Sequence, residues 1–192
     1  HASLSVLAPM LGSIMDTVTS LVVYGGGTVI HYDHWEDGYE TDLNNPTQGS
    51  TQIWGDGNNA NGTPPGFTND PTGLSKGAVI SLRNLIQIPR NTNLFYDGRD
   101  RVGATTAIAV TRAMWAQDPG PMLAGAVEVT PKMDHGSYFI CPVGENVSAN
   151  YMFEYVGLLV MAGNNNTAVT IDRDGNGPND PVTVVLNRGD SY

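Results

Sequence analysis

The residues best suited to chemistry are carboxylates and amides that cluster in two glycine-containing turns. The later cluster reads DRDGNGPND, and its oxygen-bearing residues are Asp172, Asp174, Asn176 and Asp180. Oxygens that alternate around Gly175 resemble the first half of a calcium-binding loop, because calcium takes six to eight oxygen ligands and a short turn supplies several. Thr183 stands where an EF-hand loop has its bidentate glutamate, so further ligands must come from elsewhere. The alternative is an ordinary turn, since Asp, Asn and Gly are common turn residues.

The earlier cluster, DHWEDGYETD, follows a strand predicted by the β-branched and aromatic residues of TVIHY. Its candidate calcium ligands are Asp33 and Asp37, together with Asp97 and Asp100 from a second acidic loop that could converge on the turn. His31 and His34 raise the alternative of a transition metal such as zinc. Side chains at positions i and i+3 of a strand point to opposite faces, so at most one of these histidines would be a ligand.

The same turn carries aromatic residues that suggest a different function. Trp35, Tyr39 and Trp54 would bind a carbohydrate or a protein if they formed an exposed aromatic platform. A third alternative is a secreted glycan hydrolase that uses Glu36 or Asp37, but such an enzyme needs two carboxyl groups about 5 to 9 Å apart, and nothing in the spacing fixes a pair. We therefore predict no catalytic residues.

The composition favours a location outside the cell or on its surface. Only 15% of the 192 residues are charged, 23 are glycine, and the net charge is −10, a texture typical of turn-rich extracellular β-proteins. The nine Lys and Arg residues are scattered, which argues against nucleic acid and anionic membranes as partners. There is no apolar run of about 18 residues, so we predict no membrane span. Asn146 and Asn165 lie in sequons and are candidate glycosylation sites.

An internal repeat predicts the fold. Residues 21–38 and 158–177 both show an apolar strand, a Gly or Asn turn, a Thr-led strand and an acidic glycine turn, and a third strand recurs at 77–84 and 181–187. We expect an all-β protein of two similar antiparallel sheet units, packed as a sandwich or a barrel-like pair, with propeller-like blades as the alternative.

The predicted organisation has three parts. Residues 1–20 form an apolar segment whose spacing favours a helix and which could pack on a neighbour; residues 21–117 form the first unit, with a long loop at 44–76; and residues 118–192 form a second unit that lacks one strand. A sheet that lacks a strand exposes unpaired backbone groups, so we expect other copies of the chain to pair with it. The single cysteine, Cys141, is expected to be buried and to form no internal disulfide.

Several segments together resemble a known family. The sequences YDHWEDGYE, IWGDGNNANG, GAVISLRN and RVGATTAIAVTRAMW look like a module of very large, repeat-bearing bacterial surface proteins. The chain is more loosely similar to the N-terminal module of IgGFc-binding proteins, in its Asn-Thr-x-Val-x-Ile and GA-x3-IAV patterns. The resemblance implies an extracellular, all-β, structural or adhesive role without catalysis. We accordingly predict a self-assembling filament or array that calcium stiffens, with surface glycans as possible further partners.

Overall fold

The computed structural model describes residues 15–86, 96, 98–116, 124–140, 158–172, 175 and 181–192. Within these ranges the protein is all-β, its strand pairs are antiparallel, and its sheets do not close into barrels. The only helical elements there are two 3-10 turns, Asn59–Asn61 and Lys132–Asp134. The all-β prediction is confirmed. The chain divides into two compact units, residues 1–130 and 131–192.

The described part of the first unit contains two sheets. One has four strands, in the spatial order β4-β1-β6-β7, which are β1 (Met15–Val23), β4 (Val79–Ile86), β6 (Ile108–Ala116) and β7 (Ala124–Glu128). The other has three strands, in the order β3-β2-β5, which are β2 (Ile30–Asp33), β3 (Gln52–Trp54) and β5 (Arg101–Ala104).

Strand β1 is the centre of the larger sheet. It pairs with β4 on one side and β6 on the other, so that Leu21 lies opposite both Ile80 and Val110. The helix predicted for residues 1–20 is therefore wrong at residues 15–20, and residues 1–14 lie outside the described ranges. The physical reason is the β-branched run Thr17, Val18, Thr19, whose stiff side chains favour a strand once partners are present on both sides.

In the first copy of the predicted repeat, the Gly turn at residues 25–27 does not join the two flanking strands into a hairpin. The N–H of Val23 donates to the carbonyl of Ala78, and the N–H of Tyr24 donates to the carbonyl of Ala107, so β1 is already paired on both edges. The chain instead crosses from the larger sheet to the smaller one before β2 begins. In the structure, the first two strands of the predicted repeat therefore belong to different sheets.

The core of the first unit lies between its two sheets. Leu21, Val23, Ile80 and Leu82 come from the larger sheet, and Ile30, Tyr32 and Trp54 come from the smaller one. Trp54 is fully buried, with 0% of its surface exposed. These alternate residues share one face of each strand, as the period of two requires. The arrangement is a two-sheet sandwich that fixes the smaller sheet, and with it the acidic turn after β2.

The long loop at 44–76 is folded against the smaller sheet. The carboxylate of Asp70 accepts hydrogen bonds from the N–H groups of Gly55 at 2.6 Å and Gly57 at 2.7 Å. Thr28 and Leu74 form an isolated antiparallel bridge, and Leu74 is buried in the core. The loop is therefore a structured cover over the end of β3.

The second unit contains a two-stranded sheet in its described residues. Strand β8 (Thr167–Ile171) pairs with β9 (Val182–Leu186), and Met161 forms an isolated bridge with Ser191. Ala162 and Leu186 are its buried apolar residues. Strand β7, which the sequence analysis placed with residues 118–192, pairs with β6 in the first unit. Pairing with the long strand β6 thus places β7 in the first unit and not in the predicted second unit, residues 118–192.

Candidate functional site

The turn after β2 distributes its polar side chains over the two faces of the smaller sheet. Tyr32 points into the core, where Trp54 lies, whereas Asp33 points to the opposite face, where it lies across from Arg101. The alternation follows from the strand geometry. Two separate polar clusters result, one around Asp33 and one around His34.

The first cluster is built on Asp33, which is fully buried. Its Oδ2 accepts hydrogen bonds from Nε of Arg101 at 3.0 Å and from the N–H of Glu40 at 3.1 Å, and Thr51 donates to Oδ1 at 3.4 Å. Burial raises the pKa of the Asp33 carboxyl above its usual value, while the N–H of Glu40 and the Arg101 guanidinium oppose that rise. Protein donors thus take up the oxygens that the sequence analysis assigned to calcium.

Glu40 belongs to the same cluster and is also buried. Its carboxylate accepts from the N–H of Gln48 at 2.6 Å, the N–H of Thr47 at 2.7 Å, and the hydroxyl of Thr51 at 3.2 Å. Burial favours the neutral acid, but the N–H groups of Gln48 and Thr47 outweigh it and lower the pKa of Glu40. Glu40 therefore fastens the segment that follows the turn, which is a structural role.

The second cluster brings together His34, Glu36 and Asp100. Atom Nδ1 of His34 lies 3.4 Å from Oδ2 of Asp100, and both side chains are buried. One ligand-type atom from each of the three residues lies within 4.8 Å of the other two, and Glu36 occupies the exposed side. Burial opposes protonation of His34, but the carboxylates of Asp100, Glu36 and Asp37 favour it and raise the pKa of the imidazole.

Asp100 is held in a fixed orientation. Tyr32 donates its hydroxyl hydrogen to Oδ2 at 2.6 Å, and the backbone N–H of Trp35 donates to Oδ1 at 3.2 Å. Burial raises the pKa of Tyr32 well above its ordinary value, and the neighbouring Asp100 charge adds to the rise, so the phenol keeps its proton. Tyr32 in turn stacks on Trp54, with ring centroids 5.2 Å apart. The site therefore rests on the sandwich core.

The predicted aromatic platform is not formed as one surface. Trp54 is buried in the core, so its assignment to an exposed ligand surface is wrong. The Arg99 guanidinium lies 4.3 Å from the centroid of the half-buried Trp35 ring, and the Tyr39 hydroxyl donates to the carbonyl of Arg99 at 2.6 Å. The pattern failed at Trp54 because alternation along β3 turns this residue towards the larger sheet.

The remaining predicted site residues are dispersed. Asp37 lies at the surface and accepts from the hydroxyl of Ser50 at 2.6 Å, so the structure joins Asp100 to His34 and not to Asp33 or Asp37. The exposed Asp172 accepts from the N–H of Gly175 at 2.9 Å, as in an ordinary turn, and the exposed Asn165 accepts from the N–H of Arg188 at 3.0 Å. The predicted residues that lie outside the described ranges are Asp97, Asp174, Asn176, Asp180, Asn146 and Cys141.

A polar pocket of about 340 Å³ borders the second cluster. His34, Ser50, Thr51, Gln52 and Asn61 contribute to its lining. Sequence reasoning missed this pocket, because its walls come from the turn after β2, from β3 and from the 44–76 loop, which share no motif. The sequence did contain a signal for the neighbouring cluster: its two acidic loops led us to expect Asp100 near the first acidic turn, and Asp100 lies beside His34.

Comparison of the chain with protein-family models, with curated proteins and with solved structures finds no match in any of the three. The resemblance to bacterial surface modules therefore stays a prediction. In the ranges that the structure describes, no helix has the length and apolar character to cross a membrane.

Proposed function

We propose that this protein is an extracellular structural or adhesive module that assembles with further copies of itself through open strand edges. The observation that carries the proposal is the β8–β9 sheet of the second unit. Its described part has only two strands, and Val185 of β9 is 67% exposed. An isolated two-stranded sheet is marginally stable in water, so additional pairing and apolar cover would stabilise it.

The larger sheet of the first unit offers support of the same kind. Strands β4 and β7 stand at its two edges within the described residues, and each carries an exposed valine, Val79 and Val127. Strand β4 is eight residues long, and an edge of that length presents a row of backbone donors and acceptors to another chain. The guanidinium of Arg83 on β4 is bonded to Asp16 of β1 in the same sheet. We assign assembly first to the second unit, because its described sheet has only two strands.

Calcium enters the proposal at the later acidic turn. Asp172 already accepts a backbone hydrogen bond that shapes the turn, and the protein has a net charge of −10. A bound cation would cancel repulsion between neighbouring carboxylates and stiffen the turn between β8 and β9. The alternative of a carbohydrate- or protein-binding module receives less support, because Trp54 is buried. No observation on Glu36 or Asp37 favours the other alternative, a secreted glycan hydrolase.

The test is negative-stain microscopy with calcium and again with a chelator. Val185→Lys places a charge on the exposed face of β9 and should abolish ordered filaments or sheets. Asn164→Lys adds the same charge to an exposed turn of the same unit and should leave them intact. Dissociation in chelator would place calcium in the assembly. Uniform monomers of the unaltered chain under both conditions would refute self-assembly.

A further inference from the structure

We propose that His34, Glu36 and Asp100 form a binding site for a divalent transition-metal ion, with Zn²⁺ as the best match. The three residues offer one imidazole nitrogen and two carboxylate oxygens, all within 4.8 Å of one another. This donor set is the kind that zinc binds through His, Asp and Glu. The proposal is independent of self-assembly, since its residues lie in the first unit.

The first argument concerns Nδ1 of His34. The residue is 4% exposed, and its buried Nδ1 makes no hydrogen bond of normal geometry: its ion-pair partner, Oδ2 of Asp100, lies 3.4 Å away. A buried polar atom that lacks a good hydrogen bond lowers the stability of the fold, and native structures contain few such atoms. A metal ion bound to Nδ1 would satisfy the atom.

The second argument is the spacing between His34 and Asp100. Two ligands of one tetrahedral zinc ion, each about 2.0 to 2.1 Å from the metal, lie about 3.3 Å apart. The distance from Nδ1 of His34 to Oδ2 of Asp100 is 3.4 Å. These two atoms are thus already placed as neighbouring ligands, and only the exposed Glu36 would have to move inward.

The third argument is the support behind the ligands. Asp100 receives hydrogen bonds from the Tyr32 hydroxyl on Oδ2 and from the N–H of Trp35 on Oδ1. Groups that bond to the ligands in this way fix ligand orientation in metal sites. Tyr32 is itself locked by stacking on Trp54. The buried half of the site is therefore preorganised. Glu36 is exposed to solvent, so an ion could enter the site from that side.

The donor set also distinguishes zinc from calcium. Calcium takes six to eight ligands, all of them oxygen, whereas imidazole nitrogen suits zinc and related ions. Asp33 lies on the opposite face of the sheet, where it is bonded to Arg101, and Asp37 is bonded to Ser50. Three protein ligands leave a fourth tetrahedral position for water.

The experiment is a calorimetric titration of the full, chelator-treated chain with ZnCl₂, and separately with CoCl₂ and CaCl₂. We expect the calorimetry to show one Zn²⁺ per chain and much weaker Ca²⁺ binding. The absorption spectrum of the Co²⁺-bound protein should show a visible band of the type given by tetrahedral Co²⁺. Glu36→Gln removes the exposed ligand and should weaken zinc binding about 10- to 100-fold or more. Asp37→Asn removes a carboxylate from the same turn without removing a ligand, and should weaken zinc binding far less than Glu36→Gln does.

Circular dichroism and the urea midpoint of both variants check that each is folded. Folded Glu36→Gln protein that binds Zn²⁺ as tightly as the unaltered chain would overturn the proposal. So would the absence of zinc binding by the unaltered chain, or a preference for Ca²⁺ over Zn²⁺ at this site.

Discussion

The phenolic hydroxyl of Tyr32 donates a 2.6 Å hydrogen bond to Oδ2 of Asp100, which lies 68 positions further along the chain. The bond joins β2 to the turn before β5 and satisfies one oxygen of a buried carboxylate. Tyr32→Phe would leave that oxygen with one partner fewer, and we expect it to lower the free energy of unfolding by about 1 to 3 kcal/mol. Urea denaturation measures the change.

Tyr39→Phe is the matched control for that prediction. The Tyr39 hydroxyl also donates at 2.6 Å, but to the carbonyl of Arg99 and from a half-buried ring. Water can replace this donor, so we expect a loss of about 1 kcal/mol or less. Equal losses from the two variants would contradict a special role for the Tyr32–Asp100 bond.

Trp54 is predicted to be the most costly residue to truncate in the core. Trp54→Ala should lower the free energy of unfolding by about 3 to 5 kcal/mol, because it leaves a cavity between the two sheets. Trp115 is 37% exposed on β6, so Trp115→Ala removes less buried surface and should cost less than Trp54→Ala. Denaturant titration of both variants gives the comparison, and a similar cost for the two would argue against burial as the cause.

The Glu40 carboxylate makes stability depend on pH. Its folded-state pKa is lowered, so its contribution is present above the unfolded value of about 4.3 and is lost as pH falls through the folded value. Glu40→Gln should therefore destabilise the protein near neutral pH, and the difference from the unaltered chain should shrink below about pH 4.3.

Unfolding measured by urea between neutral pH and pH 3 tests this behaviour. The neighbouring Asp33 has a raised pKa, so its own contribution runs the other way. The Glu40 charge is one cause of that rise, so the Asp33 contribution becomes smaller in Glu40→Gln. Glu128→Gln, on the exposed face of β7, controls for the loss of one negative charge. A Glu40→Gln deficit that stays constant down to pH 3 would rule out ionisation as its source.

Gly55 marks a close approach between the 44–76 loop and the start of β2. It has φ +96°, and a Cβ there would lie 2.5 Å from the carbonyl oxygen of Thr28. Gly66 has a similar φ of +90°, but a Cβ added to it would meet no atom within 4 Å. Gly66→Ala should thus show only the conformational cost of about 1 to 2 kcal/mol, and Gly55→Ala should cost more because backbone must shift. Comparing the thermal unfolding of the two variants separates the cost of the steric clash from the cost of the positive φ.

Local patterns were sufficient for several elements. The β-branched and aromatic residues of TVIHY predicted β2, and the repeated third strand predicted at 77–84 and 181–187 matches β4 and β9. Patterns misled at residues 15–20, where apolar spacing fitted a helix, and at 25–27, where glycines suggested a hairpin. In both places the outcome depended on partners more than 50 residues away, such as Ile80 and Val110 opposite Leu21.

For the candidate site, the sequence indicated which residue types were available but not how they group. The expectation that Asp100 converges on the first acidic turn matches its position beside His34. Asp33 and Asp37 do not group, because Asp33 is buried against Arg101, whereas Asp37 lies at the surface beyond the strand and is bonded to Ser50.

The sequence by itself determined the all-β class, because strand propensity and period-two alternation act between near neighbours, and it determined the acidic, glycine-rich turns. Only the tertiary structure decided that β1 is central, that Trp54 is buried, and that His34, Glu36 and Asp100 meet. Those features depend on pairing between distant segments and on which face each strand turns to the core. The free energy of that pairing is shared among many residues, so no short motif records it.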